Sequence, residues 1–391
     1  MTGVAKVNIA VCGKFHYLNY ANDLVAMERL NRLYFSHKRE TPQRFGLDPD
    51  HTVNAFLKEY LMQGSRRIFG DRIAKWSDPL TGRLWARQVL HRWSPAGILH
   101  FLAHGHALPL VSRARADGAK VVAEMVNTHH SNQLEVYLRE CEHWKVRPHP
   151  TVSAETNSRI DEEGHSADLI LVPAEHVRQS FIKKGFDASR LVKIPFGANL
   201  GLFYSNPQPK VGTQADGPLR VVCVGQIGLR KGQLYLLEAA RQLGPEIIDL
   251  TLIGQLNWEV EALVGRYRGE FRHIAHIEHA ELRRFLRTQD VFVLPSLEEG
   301  MAFANCEALA TGLCVVTTEP SGAGEIIRNG ENGFLIEPGS TEAIIDQLLK
   351  LHGDRDLVRA VGETAAHDMQ VFNGWSEYAK KLDQLYERLL S

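Results

Sequence analysis

The sequence predicts an α/β fold built from two doubly wound, Rossmann-like parallel sheets. Three observations carry this. Short β-branched or apolar runs, among them Val7–Cys12, Leu219–Val224 and Val291–Leu294, end at glycine or proline turns and lead into helical stretches. Such strand–helix alternation occurs in two separate runs. Between them lie residues 205–218 (SNPQPKVGTQADGP), whose proline, glycine and polar content reads as a linker. The 391 residues leave each half room for a core of its own. The expected division is residues 1–204, a linker over 205–218, a second domain over 219–372 and a terminal helical segment over 373–391.

Composition narrows the function classes. A formal net charge of −1 gives no global field to draw nucleic acid. The five cysteines (Cys12, Cys141, Cys223, Cys306, Cys314) show no paired spacing and read as reduced, apolar residues. The start MTGVAKVNIAVCGK runs directly into a strand, and no apolar run reaches the length of a membrane span. A cytoplasmic location is therefore expected.

In the first half, Val7–Cys12 reads as a buried strand ending at Gly13, followed by a helix over Ala21–Ser36. Ligands of doubly wound sheets bind beyond the carboxyl ends of the strands, so Gly13 is a candidate for close backbone approach. Between residues 66 and 95, seven Lys/Arg oppose two Asp, with Trp76, Trp85 and Trp93 interleaved. That pattern suits either an anionic membrane surface or a solvated cationic face over an aromatic core. Strands are expected over Gly97–Ala103 and Lys120–Val126, and a helix over Asn132–Cys141. His100, His104 and His106 lack an acidic partner at a familiar ligand spacing, so they read as loop histidines beside a cleft rather than a metal site. The pairs Asp48/Asp50 and Asp354/Asp356 follow no apolar strand, and no metal is expected there either.

In the second half, Gly225-Gln-Ile-Gly-Leu-Arg-Lys-Gly232 follows a strand and opens a helix over Gln233–Leu243. The glycine turns, the helix start and the paired cations Arg230 and Lys231 suit phosphate. A second anion site is expected where the strand Val291–Leu294 turns through Pro295, Ser296 and Gly300 into a helix over Ala302–Ala310, with Gly300, Met301, Ala302 and Phe303 as candidate binding residues. Glu299 and Glu307 flank it. Carboxylates beside a phosphate need neutral donors, and sugar hydroxyls supply them.

On these residues the chain resembles the retaining, two-domain GT-B glycosyltransferases of family 4. Glu299 and Glu307 match that family's Glu, seven residues, Glu signature, and Glu319–Pro338 is similar to its downstream segment. The segment Val192–Asn199 resembles the end of its first domain, with Phe196 where asparagine is usual. The resemblance implies that Lys231 binds the diphosphate. The usual arginine position holds Gln226, and Arg230 is the candidate to replace it. It implies that a histidine of the first domain, His129 or His130, reaches the donor sugar. It also implies that the amphipathic tail Trp375–Leu390 packs back on the first domain.

The resulting expectation is a metal- and cofactor-independent glycosyltransferase with a nucleoside-diphosphate sugar as co-substrate. Its acceptor would be a saccharide or lipid-linked hydroxyl, in polysaccharide or glycoconjugate synthesis, with peripheral contact to an anionic membrane. A sugar-nucleotide epimerase of the same fold and a non-catalytic sugar-nucleotide sensor are the alternatives, and conversion of a nucleotide sugar without acceptor separates the epimerase from the transferase.

Overall fold

A computed structural model describes residues 4–13, 15–37, 41–64, 78–149, 152–198, 217–372 and 374–391. The first sheet is parallel and has seven strands: β1 (Val7–Val11), β2 (Leu30–Phe35), β3 (Thr52–Asn54), β4 (Ile98–Leu102), β5 (Lys120–Glu124), β6 (Leu169–Val172) and β7 (Leu191–Lys193). Their order across the sheet is β3-β2-β1-β4-β5-β6-β7. The second sheet has six: β8 (Leu219–Val224), β9 (Ile248–Ile253), β10 (Arg272–Ile274), β11 (Val291–Leu294), β12 (Cys314–Thr318) and β13 (Phe334–Ile336). Their order is β10-β9-β8-β11-β12-β13. The central strands β1 and β11 are buried along their whole length, as expected of parallel strands covered by helices on both faces.

In the first domain the expected helix over Ala21–Ser36 is instead a helix over Ala21–Ala26 followed by strand β2. Glu28 makes the break at φ 54°, a left-handed conformation rare outside glycine. Leu30, Leu33 and Tyr34 of β2 are buried at a spacing that mimics helical periodicity. The linker expected over 205–218 falls mostly outside the described residues, as do Gly13's neighbour Lys14 and the basic stretch over 65–77. The described part of that basic stretch is a helix, Asp78–His91. Trp85 is buried in the core, Arg83 pairs with Glu155 at 3.5 Å, and Trp93 donates from Nε1 to Asp117 at 2.7 Å. Among the described residues no helix is long and apolar enough to cross a membrane. All five cysteines are buried, and none is in a disulfide.

The terminal helix Trp375–Leu390 returns to the first domain. Arg29, itself buried, binds Asp383 at 2.6 Å and also Glu387. Tyr378 donates to the buried Glu124 at 2.7 Å, and Tyr386 meets His100 Nδ1 at 2.6 Å. Burial alone would raise the Glu124 carboxyl, but His16 at 2.8 Å and His100 at 3.5 Å hold it well below the usual carboxylate range. Phe196, the departure from the family pattern, packs in the same junction, 4.4 Å from the His16 ring and 5.9 Å from that of Phe303 between ring centroids.

Candidate active site between the two domains

The site forms where the turn after β11 meets the loops after β5 and β8. Gly232 caps the helix Gln233–Leu243 in the left-handed region at φ 69°. A Cβ there would lie 2.0 Å from the Pro295 carbonyl, so only glycine lets the cationic loop abut the β11 turn. That contact delivers Arg230 and Lys231 to the carboxylates after Pro295. Lys231 Nζ binds Glu299 Oε1, and Arg230 Nη1 lies 3.4 Å from Glu299 Oε2. Arg230 also reaches Glu298, donating to its carbonyl at 2.9 Å and to Oε2 at 3.1 Å. The two cations expected at the diphosphate thus converge on one carboxylate. Gln226, at the usual arginine position, has an exposed side chain, while its backbone carbonyl accepts from Gln233 at 3.1 Å.

Glu298 was not among the residues expected from the sequence. It is 1% exposed, and its Oε1 accepts from Thr128 N at 3.2 Å and from Thr128 Oγ1 at 2.8 Å. One carboxylate therefore ties the first domain to Arg230 of the second. His176, also unanticipated, contacts the Glu299 carbonyl through Nε2 at 2.8 Å. The backbones pack directly against each other at Gly300, where a Cβ would lie 1.6 Å from the Val126 carbonyl. Farther along the cleft, Glu325 accepts from Glu175 N at 2.8 Å and pairs with Lys193 at 3.0 Å. Tyr235 donates to Glu140 at 2.8 Å.

The helix after the turn runs Phe303–Ala310, with Ala302 as its N-cap rather than its first residue. Met301 and Ala302 are buried, and Ala302 N donates to Ser321 at 2.9 Å. Glu307 is half-buried, and burial pushes its carboxyl up to about 7. Glycines 225 and 13 follow β8 and β1 with φ 147° and 136°.

The histidine pair resolves into two different roles. His129 is the N-cap of the helix His130–Trp144, its Nδ1 accepting from Ser131 N at 3.2 Å. Its proton therefore sits on Nε2, which donates to Asp161 Oδ1 at 2.9 Å. Burial, then the neighbouring His130, lowers its pKa. His130 Nε2 meets Asp161 Oδ2 at 2.9 Å, and its Nδ1 makes no hydrogen bond among the described residues. The ligand atoms of His129, His130 and Asp161 lie within 4.8 Å of one another, close enough in principle for a metal. Both Nε2 atoms are turned to the Asp161 carboxylate at 2.9 Å, so an ion there would have to replace both of these bonds. The aspartate pairs are locally engaged: Asp48 accepts from Asp50 N, and Asp354 caps the helix Arg355–Gln370.

Two facing Rossmann-like domains with a terminal helix crossing back define the GT-B architecture. Residues 206–368 match the family model of glycosyl transferases group 1, which spans nearly the whole second domain. Amylovoran biosynthesis glycosyltransferase AmsK of Erwinia amylovora is 31% identical over 185 residues, 44% of this chain and 45% of that protein, so the match spans under half of its length. Among solved structures, the sucrose-phosphate synthase of Thermosynechococcus elongatus superposes with a TM-score of 0.71 at 18% identity, covering 98% of this chain and 99% of that one. HepE of Anabaena, in complex with UDP and glucose, superposes with a TM-score of 0.68 at 14% identity, covering 98% of this chain and 100% of its own.

Proposed function

We propose that this chain is a retaining family 4 glycosyltransferase that moves a hexosyl group from a nucleoside-diphosphate sugar to an acceptor hydroxyl, without a metal. The convergence of Lys231 and Arg230 on Glu299, beside the start of the helix Phe303–Ala310, carries the reading. The difficult charge in this reaction is that of the departing diphosphate. Two side-chain cations and the free N–H groups of a helix start meet it electrostatically, in a site walled by the other domain. The bond between the anomeric carbon and the phosphate oxygen breaks as the acceptor oxygen bonds to the same face. The acceptor's proton passes to the leaving phosphate oxygen.

Glu299 would then exchange its cation contacts for the donor sugar's hydroxyls. Glu307, with no hydrogen-bond partner for its side chain among the described residues, would take the ribose diol. His130 Nδ1 would accept from the sugar, with Asp161 and the His129 cap fixing the ring. HepE is solved with UDP and glucose, which makes a uridine nucleotide the first donor to try.

The test is a thermal-shift and hydrolysis screen of nucleotide sugars with wild type and Lys231→Ala. A ligand bound only by the folded state raises the melting temperature. Losing one charge-assisted contact of about 1.5–3 kcal/mol should weaken nucleoside diphosphate tenfold or more in the variant. Wild-type turnover in Lys231→Ala would end the assignment.

A further inference from the structure

Residues 57–64, which follow β3 in the first domain, form a helix whose two faces are reversed. Leu57, Tyr60 and Leu61 share one side at the i, i+3, i+4 spacing, and they stand 39%, 70% and 45% exposed. The other side carries Lys58 and Glu59 inward with Met62. Lys58 is buried, and Glu59 accepts from Ser36 Oγ at 3.1 Å. A helix that covers a core does the opposite, turning its apolar stripe in and its charges out. The reversed attitude is held from the first residue, where Leu57 N donates to Gln88 Oε1 of the helix Asp78–His91 at 3.2 Å. The outward face continues into Phe56, 41% exposed, whose ring meets that of Tyr60 edge to face at 5.4 Å between centroids. A contiguous apolar surface of this kind calls for a cover.

Charge selects the cover. Residues 57–92 carry eight Lys/Arg against three Asp/Glu, in a chain whose net charge is −1. With Glu155 added, which meets Arg83 at 3.5 Å, the balance is still eight to four. A two-fold pairing with a second copy would set this positive stretch against itself. An anionic bilayer answers both features. Its headgroups attract the cations within a Debye length, and its interfacial layer takes up apolar side chains with an aromatic ring at headgroup level. Trp85 and Trp93, which the sequence pattern offers to such a surface, are engaged elsewhere, one buried in the core and one bonded to Asp117. The helix before them supplies the apolar part instead. We propose that the face formed by Phe56, Leu57, Tyr60 and Leu61 seats this protein on an anionic lipid surface. The helix follows the carboxyl end of β3, on the strand-end side of the first sheet. Joined to the transferase reading, the contact would hold the cleft near the bilayer, within reach of an acceptor hydroxyl carried on a lipid.

The test is co-sedimentation of the full chain with vesicles of phosphatidylcholine alone and of phosphatidylcholine mixed with phosphatidylglycerol, across a salt series. Wild type should partition at least about tenfold more strongly to the anionic vesicles, and salt should release it. The variant Leu57→Ser/Tyr60→Ser/Leu61→Ser should lose about tenfold or more on anionic vesicles with an unchanged melting temperature. A tenfold loss is about 1.4 kcal/mol, which at about 25 cal/mol per Å² needs only about 55 Å² of apolar surface withdrawn from water. Should the triple variant melt lower, Tyr60→Ser alone decides, and it should still lose about threefold or more. Absent partitioning, equal partitioning to both vesicle types, or wild-type partitioning of the folded variants would overturn the assignment. Sedimentation without vesicles supplies the other arm: a wild-type dimer that the triple substitution dissociates would give the face to a second copy and overturn it too. No nucleotide enters these measurements, so this assignment and the transferase reading fail separately.

Discussion

Gly300→Ala isolates what the closed cleft contributes. The backbone at Gly300 is not in the left-handed region, so alanine is compatible with the turn itself. The obstacle lies across the domain boundary: the new Cβ would stand 1.6 Å from the Val126 carbonyl oxygen, and real contacts essentially never fall below 3.0 Å. The two surfaces must therefore separate there by at least 3.0 − 1.6 = 1.4 Å. That opening is enough to break the Thr128–Glu298 bonds at 2.8 and 3.2 Å and the His176 contact at 2.8 Å. Arg230, Lys231, Glu299 and Glu307 all sit on the second domain, so nucleoside diphosphate should bind the variant as it binds wild type.

Turnover should respond differently, because His130 arrives from the other domain. A misplacement of about 1 Å in a reacting constellation costs about 10²-fold, and kcat should fall by at least that factor. Steady-state kinetics with equilibrium titration of the nucleotide make the comparison. A loss of nucleotide affinity equal to the loss in kcat would refute the reasoning, as would wild-type kcat.

Glu307 gives a pH signature. Burial raises its carboxyl to about 7, so the protonated form is favoured in the folded chain. The folded state then binds more protons than the unfolded one between the ordinary carboxylate value and about 7. This stability contribution is complete below the ordinary value and is lost as pH rises through about 7. Nucleotide affinity should climb over the same window as the carboxylate forms, and Glu307→Gln should flatten both profiles; a pH dependence unchanged in the variant would exclude the role. Asp161 is a positioning residue in this account. Asp161→Ala should release both rings, moving the imidazole nitrogen shifts of His129 and His130 and the pH–rate profile. Asp161→Asn, which accepts from one ring only, should fall between alanine and wild type; nitrogen shifts unmoved by alanine would make Asp161 merely structural.

Much of the second domain was legible because its signals are local. The apolar run Leu219–Val224 and the amphipathic Gln233–Leu243 and Trp375–Leu390 have the predicted bounds, since period and flanking glycines fix them. The first domain was less so. Its helix-to-strand break at Glu28 depends on a left-handed non-glycine residue, which no composition marks. The site residues that escaped notice share one property: each matters through a partner distant in sequence. Glu298 meets Thr128 170 positions away, His176 meets Glu299 123 away, and Asp161 meets His129 32 away. Adjacency to Glu299 was the signal available for Glu298, and adjacency alone does not say which of two carboxylates crosses the cleft. The closing of the tail on the first domain came from family resemblance; the amphipathic face of Trp375–Leu390 predicts burial but not against what.

Under the proposed function, Gln226 and Arg230 can be compared through these contacts. Arg230 is next to Lys231 in the chain, and both side chains end on Glu299. Arg230 also engages Glu298, which accepts from Arg230 and from Thr128 at once. Before any phosphate arrives, two cations face two carboxylates, and the site is close to neutral. A diphosphate alone would have to win those cations from Glu299 and leave that carboxylate facing like charge. A nucleotide sugar brings neutral hydroxyl donors together with the phosphates, so Glu299 can release Lys231 and still be hydrogen-bonded. Glu298 does not have to move, because its remaining bonds come from the first domain. In the proposed reaction the sugar would therefore favour the rearrangement that frees the cations for the leaving group, while Glu298 keeps its bonds to Thr128 of the first domain.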